Sequence, residues 1–140
     1  DIPCVQLSLV DSLDAEMHLA IGRALRALDV DDLLVIGSGF SFHNMEAFFA
    51  PLTPETEARN QAFEDWLAAT CTDTRLAESE RAERLIHWDR APYARFCHPR
   101  EEHLLPLQVC YGLAGRPSEP PIVATILRKK AGMFHWQVPA

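Results

Sequence analysis

Apolar and polar residues alternate from Pro3 to Val10, where Gln6 and Ser8 separate Val5, Leu7 and Leu9. That period of two predicts a strand. From Asp14 to Leu28 the period changes. Met17, Ile21, Ala24, Leu25 and Leu28 fall on one stripe of a predicted helix, with Asp11, Ser12 and Asp14 as candidate N-caps. Asp31 and Asp32 then break the pattern, and Leu33–Ile36 (LLVI) is wholly apolar up to Gly37-Ser38-Gly39. Such a run reads as a strand buried on both faces. Strand, helix and strand in this order predict a βαβ unit with Pro3–Val10 and Leu33–Ile36 parallel and adjacent.

The next segment, FSFHNMEAFF, is polar and aromatic, and Pro51–Pro54 is a break. Glu55–Cys71 follows as a helix, with Thr53 as N-cap, Pro54 in the first helical position and Phe63, Trp66 and Leu67 on its buried face. Leu76–Trp88 is a charged third helix with Leu85 and Ile86 facing inward, and Ala91–Arg100 is irregular. Glu101–Leu113 has helical spacing. Pro106 is tolerated only near a helix start, so the helix is expected to begin around Glu102 or His103. Arg116–Pro121 is a proline-rich loop. Ile122–Leu127 and Met133–Val138 read as two final strands joined by a turn through Lys129, Lys130 and Gly132. The expected fold class is α/β, a mixed sheet with flanking helices, in one domain over residues 1–140.

Composition narrows the function classes. A chain of 140 residues that is 48% hydrophobic can bury a core without disulfides or a structural metal. The net charge of −7 argues against nucleic acid or an anionic membrane as partner, since both require a basic face. Cys4, Cys71, Cys97 and Cys110 have no zinc-knuckle spacing and read as buried free thiols in a reducing cytosol. No apolar run of about 18 residues is present for a transmembrane helix, and no signal-peptide pattern opens the chain. The missing initial Met suggests a fragment or a processed chain.

Chemistry concentrates in the histidines. His18 and His87 read as ordinary helix histidines, and His135, between Phe134 and Trp136 in the last strand, ranks below His43. His43 follows a buried strand and a Gly-Ser-Gly turn, where α/β sheets place their sites, so it suits acid–base work or metal binding. His98 and His103 bracket H-P-R-E-E-H. Residues five apart do not share a helical face, and Pro99 keeps His98 out of the helical region, so this is not the helical zinc-protease motif. One reading puts His98 in a loop and His103 at a helix start, where an imidazole tends to stay neutral and able to bind a metal. The other reading is a charged capping segment.

At these residues the chain resembles a known family. LVIGSGFSFHN and APYARFCHPREEHLLPLQVCYGLAG resemble segments of the DODA-type class III extradiol ring-cleaving dioxygenases. NQAFEDWL and IPCVQLSL…MHLAIGRALRAL fit in the same order, so the resemblance covers essentially the whole chain. It implies the C-terminal part of that catalytic domain. It also implies cleavage of a small aromatic diol by dioxygen at a non-haem metal, Fe(II) or Zn(II). By position, His43 matches the acid/base histidine, His103 a metal ligand, His98 a loop histidine that is a further candidate ligand, and Asn44 and Glu102 supporting residues. The family's other two ligand histidines lie in N-terminal segments upstream of Asp1. The resemblance therefore implies that the isolated chain is inactive, being a fragment of a longer product, one piece of a nicked chain, or a short paralogue needing a partner. Its N-terminal half or a homo-oligomer are the candidate partners. An exposed apolar surface is expected where that half docks. A non-catalytic interaction module that retains the half-fold is the alternative. A hydrolase using His43 and a cysteine is weaker, because no cysteine sits in a nucleophile turn.

Overall fold

A computed structural model describes residues 2–28 and 32–137. Its body is helical: α1 (Ala15–Leu25), α2 (Met45–Phe49), α3 (Pro54–Thr72), α4 (Glu78–Ile86), α5 (Ala94–Cys97) and α6 (Leu105–Ala114). A 3-10 turn at Trp88–Arg90 joins α4 to α5, and an antiparallel hairpin, β1 (Ile122–Ile126) and β2 (Lys129–Met133), closes the chain. The mixture of helices with a small sheet agrees with an α/β class at that level.

Two helices, α1 and α3, begin where local chemistry places them. The Asp14 side chain accepts from the Met17 amide at the start of α1. Thr53 and Thr56 form a capping box on α3, with Pro54 in the first turn. The buried face of α3 is Asn60, Phe63, Glu64, Leu67, Thr70 and Cys71. It packs against Leu85 of α4, Trp88 and Leu105 of α6 in one core. Arg81 is fully buried and donates to the carbonyls of Thr70 and Asp73, tying the end of α3 to α4.

Several expectations need correction. Pro3–Val10 and Leu33–Ile36 contain no strand residues, and the only sheet among the described residues is the two-stranded β1–β2 hairpin. The parallel βαβ pair is therefore not formed. A strand needs a partner strand for its backbone groups and a packed face for its side chains, and most of these side chains are exposed. Val5 is 93% exposed, Leu34 78% and Ile36 77%.

The stripe read for α1 is also displaced. Its buried residues are Ala15, His18, Leu19 and Gly22, while Met17 and Leu28 are exposed. The reason is α6: a Cβ on Gly22 would lie 2.8 Å from the Gly112 Cα, so the helices cross backbone to backbone along the small-residue face. His18, read as an ordinary helix histidine, is buried between two backbone groups. Its Nδ1 lies 2.6 Å from the Asp14 carbonyl, and its Nε2 accepts from the Val10 amide at 3.1 Å.

The last strand is shifted as well. β2 starts at Lys129, and Ile126 pairs with Lys129 across a two-residue turn at Leu127 and Arg128. Both turn residues have positive φ, 46° and 65°. Glycine or asparagine normally marks such a turn; with neither present, Gly132 drew the predicted turn into what is strand. Val138 lies outside the described residues.

Candidate active site

The Gly37–Asn44 segment is laid against the start of α6 by the absence of side chains. A Cβ on Gly37 would meet the Cys110 Sγ at 2.7 Å, and one on Gly39 would collide with the His103 carbonyl. Close approach, rather than positive φ, is what these glycines provide: Gly115 is the positive-φ glycine among the described residues.

Four hydrogen bonds then fasten residues 40–44 to residues 96–103. The Phe40 amide donates to the His103 carbonyl at 2.7 Å, and the His43 amide donates to the Cys97 carbonyl at 2.9 Å. His98 Nε2 lies 2.7 Å from the Ser41 carbonyl, and Asn44 Nδ2 donates to the Phe96 carbonyl at 2.7 Å. Asn44 Oδ1 meanwhile caps α2 by accepting from Ala47.

This fastening brings His43 and His103 together. Their rings stack, with centroids 3.4 Å apart and planes 22° apart. They sit in an open depression of about 500 Å³, with Asn44, Met45 and Glu46 on one side and Pro99, Arg100 and Glu102 on the other. His43 is held below the usual imidazole range by burial and by the neighbouring His103, against the opposing pull of Glu102. Two stacked imidazolium rings would repel, so the geometry suits a His43 that is neutral near pH 7 and able to accept a proton. Glu102 is paired with Arg100 at 2.8 Å.

His98 does not share the depression. It is fully buried, with Phe63 and Trp88 ring centroids at 5.5 and 5.9 Å. Burial is the largest influence on it and pushes its pKa down to about 4. A neutral imidazole facing a carbonyl through Nε2 carries its proton there, which leaves a bare Nδ1; that atom is buried without a hydrogen-bond partner.

Stacking limits what the two site histidines can do with a metal. Imidazole lone pairs lie in the ring plane. Two nearly parallel planes 3.4 Å apart cannot both meet one ion at the usual nitrogen–metal distance of about 2 Å. At most one ring can be a ligand in this arrangement. Among the described residues no group of three His, Cys, Asp or Glu side chains is placed to hold a metal ion. The described residues by themselves therefore do not make a metal centre.

No family-wide sequence profile matches the chain. Individual curated proteins do. Dioxygenase tasH of Hapsidospora irregularis is 40% identical over 124 residues, covering 81% of this chain and 37% of that protein. The 4,5-DOPA dioxygenase extradiol of Beta vulgaris is 32% identical over 123 residues, covering 88% of this chain and 44% of its own length. A 4,5-DOPA dioxygenase extradiol-like protein of Schizosaccharomyces pombe is 35% identical over 115 residues. This chain is a homologue of extradiol dioxygenases. It spans 37 to 44% of the length of these relatives.

A match covering 81% of a 140-residue chain includes the central residues wherever it begins, so each alignment with these dioxygenases runs through His43, His98 and His103. Sequence reasoning missed Ser41, Glu64 and Arg100. Arg100 sits inside the H-P-R-E-E-H motif and lines the depression. Glu64 had a legible signal: it falls on the i, i+3, i+4 apolar stripe of α3 beside Phe63 and Leu67.

Proposed function

We propose that this chain is the C-terminal part of an extradiol ring-cleaving dioxygenase that opens a catechol-type diol with dioxygen at a non-haem Fe(II) or Zn(II). The observation that carries the reading is the stacked His43–His103 pair in one open depression, within the stretch aligned to relatives named extradiol dioxygenases. His103, the more exposed ring, serves as one metal ligand, and the remaining ligands come from outside the described residues. This chain's own contribution is proton handling and placement. His43 accepts a proton from a diol hydroxyl and returns it after ring opening, with Glu102 biasing its affinity for that proton. Asn44, next to His43, ties this segment to the Phe96 carbonyl and caps the start of α2. His98, with Nε2 committed to Ser41, acts as a support beneath the pair rather than as a ligand.

The exposed extended segments Ile2–Val10 and Leu33–Ile36 fit the same reading as edges against which the rest of the longer protein packs. They also fit the second reading, a non-catalytic docking module. Metal content and turnover measured together decide between the two. In the longer polypeptide, His103→Ala should lose metal. His43→Ala should keep it and lower turnover by roughly 100- to 10,000-fold, the usual effect of losing a general acid–base. The appearance of a yellow ring-opened product follows the reaction. No turnover of any catechol by the metal-loaded longer protein would favour the module, and metal loss in His43→Ala with retention in His103→Ala would reverse the two roles.

A further inference from the structure

Glu64 is a carboxylate in the core to which the proposed reaction gives no task. It is 7% exposed, on the inner face of α3. Its Oε1 accepts from the Ser41 hydroxyl at 2.6 Å and its Oε2 from the Gly132 amide at 2.9 Å. The Gly132 amide is shared with the Ser41 Oγ, also at 2.9 Å. Four residues earlier on the same helix face, Asn60 bonds both the amide and the carbonyl of Lys130. Asn60 and Glu64 thus satisfy the outer edge of β2 as a further strand would. Only Glu64 also reaches the site segment.

We propose that Glu64 is a positioning residue of the candidate site, clamping Ser41 to the β1–β2 hairpin and thereby fixing His98 and the backbone that carries His43. Ser41 is the joint. Its hydroxyl is held by Glu64 and Gly132, its carbonyl faces His98 Nε2, and His43 lies two residues on. As a statement about placement, the proposal stands on this geometry. As a statement about turnover, it rests on the dioxygenase reading.

A carboxylate suits the task because it accepts on both oxygens. Glutamine would turn an amide N–H toward the Gly132 amide, donor against donor, or toward the Ser41 hydroxyl, which accepts it only by turning its own proton away and so reversing that bond. Burial raises the Glu64 pKa to about 7, so its clamp is also sensitive to pH near neutrality. The other ionisable groups around it are Asp65 on the same helix, the Cys97 thiol of α5, and Lys129 and Lys130 of β2. Lys129 is buried, and the Lys130 ammonium is bonded to Gln61.

The test uses nitrogen-resolved NMR of this chain as wild type and Glu64→Gln at fixed pH, with far-UV circular dichroism to check folding. The expected result is displaced His98 and His43 ring signals, with the Gly132 amide exchanging roughly tenfold faster, as for a lost hydrogen bond to a charged group. Unmoved His43 and His98 signals in a folded variant overturn the proposal. If Glu64→Gln does not fold, Ser41→Ala decides, because it cuts the joint and keeps the carboxylate. The same displacements are expected, and their absence overturns the proposal. In the longer polypeptide, Glu64→Gln should lower kcat roughly tenfold with KM within about twofold, and should shift the pH profile of kcat, as loss of positioning does. An unchanged kcat and profile overturn its bearing on turnover. A wild-type longer polypeptide that opens no diol indicts the dioxygenase reading alone, since the ring signals still judge Glu64.

Discussion

The helical region from Thr53 to Ala114 and the extended segments before it bury similar side chains to opposite extents. Phe63, Leu67, Leu85 and Leu105 have no exposure, whereas Val5, Leu34 and Ile36 are more than three-quarters exposed. A helix closes its backbone hydrogen bonds within itself and needs neighbours only along one face. A strand depends on a neighbour for its hydrogen bonds and for its packing. The helices therefore meet their backbone needs locally and find their packing in one another, and the extended segments leave theirs open. The site straddles this divide. His43 hangs from the extended side and His103 from the start of a helix, and small residues and hydrogen bonds make the junction between them.

The largest expected effect tests the closed side. Leu67→Ala should cost about 3 to 4 kcal/mol in chemical denaturation, the usual range for emptying a full leucine site in a core. A cost under about 1 kcal/mol would mean that the helical region is as open as the extended one.

The next effect concerns Glu64. Its carboxyl is raised from 4.5 to about 7 in the folded chain, mainly by burial. The folded chain therefore holds this proton more tightly than the unfolded chain. Stability from this group is greatest below pH 4.5 and falls as pH rises toward 7, by on the order of 3 kcal/mol. Denaturation midpoints from pH 4.5 to 7.5 should show that decline in the wild type and a flatter line in Glu64→Gln. Parallel lines would remove Glu64 as its source.

Gly39→Ala tests the junction itself. The added methyl meets the His103 carbonyl, and the resulting backbone shift should cost about 1 to 3 kcal/mol, as overpacking does. It should also separate the stacked rings, seen as loss of through-space contacts between His43 and His103 by NMR. Rings still stacked in the variant would show that the glycine is not what admits the contact.

The smallest effect tests the open side. Leu34→Asp and Ile36→Asp should change the stability of this chain by no more than about 0.5 kcal/mol, as exposed substitutions do. In the longer polypeptide the same changes should cost more than about 2 kcal/mol if those segments are covered there, since a buried unpaired charge is expensive. Equal effects in both would remove the proposed packing of the longer protein on these segments.

Much of the helical region was legible before any coordinates. Thr53 and Pro54 marked the start of α3, and Asp14 that of α1, because caps are local chemistry. The buried face of α1 was not legible. Its most apolar stripe is partly exposed, while Gly22 and Ala15 are buried, because α6 offers a glycine crossing that only small residues can enter. The Leu127–Arg128 turn was also hidden, since neither residue signals a left-handed backbone.

For the candidate site, the sequence by itself determined which residues stand out as candidates: His43 after Gly-Ser-Gly, and His98 and His103 around H-P-R-E-E-H. Residue type and position relative to predicted element ends carried that information. Only the tertiary structure decided how the three histidines divide. His43 and His103 stack at the surface, and His98 lies beneath them against Phe63 and Trp88. It also decided that Glu64, 34 positions before His98 in the chain, reaches the same Ser41 that His98 holds. Spacing along a chain fixes neighbours within one turn of a helix. Contacts between separate elements depend on how whole faces pack, and no local pattern encodes that.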